Sequence, residues 1–168
     1  MVKLFISGGG DEKQGKKFDQ EFAKRIDLTK PLLYIPIAMK GIISSADCYQ
    51  WVSSVFKPLG IDEIIMWTDL NNRTLENLKQ FSAVYIGGGN TFSLLNDLRT
   101  SKFDVVLKEF IKSGGILYGG SAGAIILGSN IMTCAHLDHN DVKLRDCNGL
   151  NLIHGFDVWC HMNLKTTR

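Results

Sequence analysis

Three clusters of glycine constrain this chain more than any other feature. Gly8-Gly9-Gly10, Gly87-Gly88-Gly89 and Gly119-Gly120 (with Gly123 close behind) each follow a short apolar run, and each precedes a segment of helical spacing. A strand that must turn into a helix within two or three residues needs small residues there, because larger side chains collide with the elements being joined. The apolar runs span 2–6, 32–37, 61–67, 83–86 and 115–118. Pro31 and Pro36 near the ends of the second run suit a strand's limits better than a helix. Between the runs, Phe18, Phe22 and Ile26 fall on one helical face. Further helices are expected around 49–56, 75–78, 94–98, 105–111 and 122–127. Ser44-Ser45 offers a cap for the first of these, and Pro58 with Gly60 closes it. Nearly continuous apolar strands alternating with helices predict a parallel sheet covered on both faces, a doubly wound α/β domain over 1–168. After residue 128 the alternation weakens. The segments 131–135 and 156–159 are expected as further strands, and 136–149 as a polar loop.

Composition excludes several classes of function. At 45% hydrophobic residues, 168 residues are enough for one core. Lys+Arg 19 against Asp+Glu 17 gives +2, which argues against a dedicated nucleic-acid surface. No apolar run approaches the ~20 residues of a membrane helix, and the start lacks the hydrophobic stretch of a secretory signal. Cys48, Cys134, Cys147 and Cys160 form no CxxC pair and are expected as reduced thiols, so the expected compartment is the cytoplasm. Cys134, His136 and His139 share one short loop without a distant partner, so no metal site is expected.

The sharpest chemical signal is Gly119-Gly120-Ser121-Ala122-Gly123, a G-x-S-x-G pattern with a strand before it and a helix after. Such a turn projects the serine hydroxyl from the C-terminal edge of the sheet. The Ala122 N–H then heads a helix, where amides lack intrahelical partners, and can point at a developing oxyanion. Gly87-Gly88-Gly89-Asn90-Thr91 occupies the same context after the fourth run. Its amides could supply a second oxyanion donor or hold a substrate carboxylate. Neither cluster matches G-x-x-x-x-G-K-[ST] or G-x-G-x-x-G, so no nucleotide cofactor is expected, and no cofactor of another kind. A serine nucleophile needs a base. His136, His139, His154 and His161 are available, and physics alone does not choose among them. His161 follows an expected strand, whose pleat would put the neighbouring Cys160 on the opposite face.

The pairing of 84–92 (VYIGGGNTF) with 119–124 (GGSAGA), about thirty residues apart, resembles peptidase family S51, and especially its dipeptidase E branch. The resemblance runs from the start of the chain to near its end. It implies a class I glutamine amidotransferase-like fold and a Ser-His-Glu hydrolase of short peptides with an N-terminal aspartate. Ser121 matches the nucleophile, Gly89 and Ala122 the oxyanion-hole positions, and His161 the base. Two positions depart from the pattern around the base: Cys160 stands where proline is usual, and Met162 where phenylalanine is usual. Gly120 stands where the dipeptidase E branch carries tryptophan.

The family's acidic member lies beyond the last residue here. Three expectations follow: a Ser-His dyad, an orienting carboxylate from Asp157 or from the 138–146 loop, or a relic with little activity. An acidic substrate side chain would be met by Gly88 and Asn90, or by Thr133, Asn140, Lys143 and Arg145 in the loop after the elbow. The expected partner is a short peptide. Apolar surface left uncovered would favour a homodimer. The rivals are an α/β-hydrolase-type esterase, with Asp138, Asp141 or Asp157 as its acid, and a non-catalytic binding protein on the same fold.

Overall fold

The computed structural model describes residues 3–10 and 12–161. Five strands, β1 (Leu4–Ser7), β2 (Leu32–Ile35), β3 (Ile64–Met66), β4 (Ala83–Ile86) and β5 (Leu117–Gly120), alternate with α1 (Glu12–Ala23), α2 (Ser45–Phe56), α3 (Leu75–Leu78), α4 (Thr91–Thr100) and α5 (Phe103–Lys112). A short α6 (Ala122–Ile125) follows β5. The sheet has the order β1-β5-β4-β2-β3, and every neighbouring pair is parallel. This is the expected doubly wound α/β sandwich. The expected first strand included Val2, which lies outside the described residues, as do Met162 and Asn163 at the far end.

The strand pleat divides the core in two. Leu33, Ile35, Val84, Ile86 and Leu117 face one way and pack with Leu78, Leu94, Leu98, Phe103 and Leu107 of α3, α4 and α5. Leu32, Tyr34, Tyr85, Tyr118 and Phe5 face the other way and pack with Phe22 of α1 and Val52 and Phe56 of α2. Phe22, Phe56 and Phe103 are essentially fully buried. Each such side chain contributes about 1.5–3 kcal/mol, so core burial rather than helix propensity holds these short helices in place. Side chains mark the helix starts as well. Ser44 accepts a hydrogen bond from the Asp47 N–H at α2, Thr74 and Asn77 form a capping box at α3, and Asn90 caps α4.

The expected strands at 131–135 and 156–159 do not form. Met132–Cys134 is a 3-10 turn, and the one bridge nearby is an isolated antiparallel contact between Asn130 and Asn148. The amides of these two segments close local turns: Cys134 and Ala135 donate to the Ile131 and Met132 carbonyls, and Phe156 to the Ile153 carbonyl. Leu150, Leu152 and Asn151 donate to the carbonyls of Ile126, Leu127 and Gly128 at 2.7, 2.8 and 2.9 Å. Those carbonyls end α6 and have no intrahelical partner, so the segment wraps around the helix end instead of extending the sheet. Phe156 and Trp159, which suggested a strand, stand 72% and 61% exposed.

Candidate active site

The site is built where β5 turns into α6. Ser121 adopts φ 50 and ψ −111, a left-handed backbone that ordinary residues rarely take and that costs about 1–3 kcal/mol. Its N–H donates to the Ser7 carbonyl at 2.9 Å, and its own carbonyl accepts from Ala124 and Ile125 at 2.8 and 2.9 Å. The flanking glycines let backbones touch there. A Cβ on Gly119 would run into the Gly123 carbonyl, and one on Gly123 into the Ile86 carbonyl. β5, α6 and the end of β4 can therefore approach only without those side chains.

All three glycine clusters converge on Ser121. A Cβ on Gly88 would stand 3.1 Å from the Ser121 Cβ. One on Gly9 would stand 2.6 Å from the His161 Cε1 and 3.3 Å from the Ser121 Cβ. Gly89 holds φ +129, and the next amide, of Asn90, donates to the Ala38 carbonyl at 2.9 Å. His161 places Nε2 2.8 Å from the Ser121 hydroxyl. The preceding Cys160 is buried, and its thiol donates to the Ser121 carbonyl at 3.6 Å. Burial pushes that thiol up to about 11.

Several residues expected at the site do other work. Asn90 caps α4 by accepting from the Ser93 N–H, and its amide donates to the His139 carbonyl. Thr133 donates to the Val158 carbonyl at 2.6 Å. Asn140 bonds the backbone of Leu144 in both directions. Arg145 and Lys143 are exposed and lie outside the cavity lining. His136 packs its ring near Trp159, at 5.5 Å, and like His139 and His154 it does not line the cavity. Three of the acids expected to orient His161 are likewise engaged elsewhere. Asp157 accepts from Ser129 Oγ and the Asn130 N–H at 2.6 and 2.8 Å, Asp138 accepts from the Thr91 N–H at 2.8 Å, and Asp146 pairs with Arg99 at 3.2 Å. Among the described residues no carboxylate is hydrogen-bonded to His161.

A cavity of about 730 Å³ opens at Ser121 and His161 and runs beneath the elbow, along the face covered by α1 and α2. Tyr34, Tyr85 and Tyr118 line it, with Asp19 beside Tyr118. Sequence reasoning missed Asp19. A signal was present: Asp19, Phe22, Ala23 and Ile26 share one helical stripe, so a carboxylate occupies a position of the apolar face of α1. Among the described residues no group of three His, Cys, Asp or Glu is placed to hold a metal ion. No helix among them is long and apolar enough to cross a membrane.

A parallel α/β sandwich that carries a serine on a strand-to-helix elbow, within hydrogen-bond reach of a histidine, has the build of a hydrolase. The chain belongs to peptidase family S51, whose family model matches residues 4–166. It is 34% identical over 165 residues to an uncharacterized peptidase of Pasteurella multocida (strain Pm70), covering 94% of this chain and 76% of that protein. It is 31% identical over 105 residues to Peptidase E of Haemophilus influenzae, covering 62% of this chain. The match spans 46% of that relative's length. A crystal structure of a peptidase from an acI-B1 Actinobacterium superposes with a TM-score of 0.72 at 21% identity, over 94% of this chain and 67% of that one, and shows the same fold.

Proposed function

We propose that this chain is a serine peptidase that hydrolyses short peptides through Ser121 and His161. The observation that carries the reading is the 2.8 Å approach of His161 Nε2 to the Ser121 hydroxyl. With its proton on Nδ1, the imidazole accepts the hydroxyl proton at Nε2 as Ser121 Oγ attacks the scissile carbonyl. The Gly89 and Ala122 amides stabilise the resulting oxyanion. His161 then gives the proton to the leaving amine, the C–N bond breaks, and water releases the acyl group by the same steps in reverse. Within the described residues the centre is a dyad.

The esterase reading needs an acid ahead of His161. Asp138 and Asp157 are bonded elsewhere, which weakens it. A preference for N-terminal aspartate rests on the family resemblance. No Lys or Arg stands among the described lining residues to meet that carboxylate.

The test is release of the N-terminal residue from short peptides, aspartyl peptides first, by wild type, Ser121→Ala and His161→Ala. The expected result is cleavage by wild type that falls by at least about 10³ in both variants. Cleavage that survives Ser121→Ala would overturn the proposal. Turnover of simple acyl esters without any peptide cleavage would favour the esterase.

A further inference from the structure

The cavity floor is a row of aromatic side chains set by strand register. Tyr34 pairs with Tyr85 and Tyr85 with Tyr118, so the three phenols stand side by side on one face of β2, β4 and β5. Two residues further along β4 and β5, on the same face, the chain has Gly87 and Gly120. A Cβ on Gly120 would stand 3.0 Å from the Tyr85 hydroxyl, and one on Gly87 3.1 Å from the Tyr34 hydroxyl. Gly120 lines the space above the phenols, and a side chain there would press on the Tyr85 hydroxyl. Trp51 and Phe56 of α2 complete its walls.

At the end of this branch lies a carboxylate. Asp19 is only 6% exposed, and its Oδ1 accepts from the Tyr118 hydroxyl at 2.7 Å. Gly15, one turn earlier on α1, leaves room over Oδ2, since a Cβ there would come within 3.0 Å of that oxygen. No ion pair among the described residues involves Asp19. A buried carboxylate held by one neutral donor is poorly compensated, and burial raises its pKa. Asp47 and Asp138 also line the cavity, whereas no Lys or Arg does among the described residues. The field inside therefore favours a cation.

From Ser121 and the aromatic-walled branch ending at Asp19, we infer that this branch is a specificity pocket for a long cationic side chain, arginine or lysine, of the peptide being cleaved. The aliphatic stem lies over the phenol and indole rings, which also attract the charged head, and the head reaches Asp19. Tyr118 lies two residues, about 6.6 Å, back along the strand from Gly120, so a short side chain ends before the carboxylate. An aspartate side chain would enter a space that already holds acidic groups. The inference takes Ser121 as the reacting residue from the proposed function, but pocket occupancy can be measured without turnover.

L-argininamide and its neutral isostere L-citrullinamide would be titrated into wild type and Asp19→Asn by calorimetry. The expected result is that wild type binds argininamide at least about tenfold more tightly than citrullinamide, and that Asp19→Asn closes the gap. Equal affinities in wild type, no binding of either ligand, or a gap that persists in folded Asp19→Asn would overturn the pocket. Should Asp19→Asn not fold, the comparison in wild type decides alone. A peptide panel with arginine, norleucine or aspartate at the cleaved bond separates the two proposals. Argininamide binding with no cleavage of any peptide would sink the peptidase reading and leave the pocket standing. Cleavage without arginine preference or argininamide binding would do the reverse.

Discussion

Cys160 is tied to Ser121 directly and through its neighbour His161. The Cys160 thiol donates to the Ser121 carbonyl at 3.6 Å, while the next residue, His161, sets Nε2 2.8 Å from the hydroxyl of that same serine. His161 itself holds φ 56, so its ring position depends on how the preceding residue is anchored. With its pKa pushed up to about 11 by burial, the thiol remains a protonated donor throughout the neutral range. Cys160 thus acts as a positioning residue. Cys160→Ala is expected to lower kcat about five- to tenfold, the equivalent of one neutral hydrogen bond, with KM near wild type. Cys160→Ser, which keeps a donor, is expected to recover most of the loss. Steady-state kinetics on one peptide would check both, and a KM change as large as the kcat change would count against the positioning role.

Gly123 tests the elbow from the other side. Its Cα lies against the Ile86 carbonyl with no room for a methyl group. Gly123→Ala is expected to lower unfolding stability by about 1–3 kcal/mol, the usual cost of overpacking, and to lower activity by displacing Ser121. Urea denaturation beside a peptide assay would show both, and an unchanged midpoint would contradict the packing described.

The elbow was legible in the sequence because its cause is local. Small residues around Ser121 announce a strand meeting a helix at a sharp angle whatever surrounds them. The apolar runs up to 118 announced the strands for the same reason, since burial on both faces of β2, β4 and β5 leaves little choice of residue there. What followed residue 128 misled. Phe156 and Trp159 have strand-like chemistry, but the Phe156 N–H turns back to the Ile153 carbonyl and the Phe156 carbonyl accepts from the Ser129 N–H, pairings that no sequence window displays. The tyrosine row was hidden for a related reason. Tyr34, Tyr85 and Tyr118 lie on three strands, and only the register of the sheet brings them level. Asn90 and Thr133 were expected to face a substrate because polar residues beside a catalytic turn invite that reading. Their side chains bond backbone groups instead.

Asp157 is an exposed acid whose bonds are structural. Hydrogen bonds from Ser129 Oγ and the Asn130 N–H hold its pKa below the ordinary carboxylate value. A depressed pKa in the folded state means stability that is present above the unfolded value and is lost as pH falls through the folded one. Asp157→Asn is therefore expected to be less stable than wild type at pH 7, with the difference closing in acid. Thermal melts across pH would check this, and a gap that does not depend on pH would refute it.

Asp19 has the opposite sign. Burial raises its pKa, although the Tyr118 hydrogen bond works against the rise. Its favourable contribution is present below the unfolded value and is lost as pH rises through the folded one. Asp19→Asn keeps an acceptor for Tyr118 and removes the buried charge. The variant is expected to melt above wild type at pH 7, with the advantage shrinking in acid. The two aspartate variants measured side by side should move in opposite directions at neutral pH.

The row of phenols has an optical consequence. Tyr85 lies 4.6 Å from Tyr118, 5.2 Å from Tyr34 and 6.3 Å from Trp51. Excitation absorbed anywhere along that row passes readily to the indole, whose ring lines the cavity and is 40% exposed. Whatever settles over the phenols displaces water from that indole, so the Trp51 share of the protein's emission reports whether the cavity is filled.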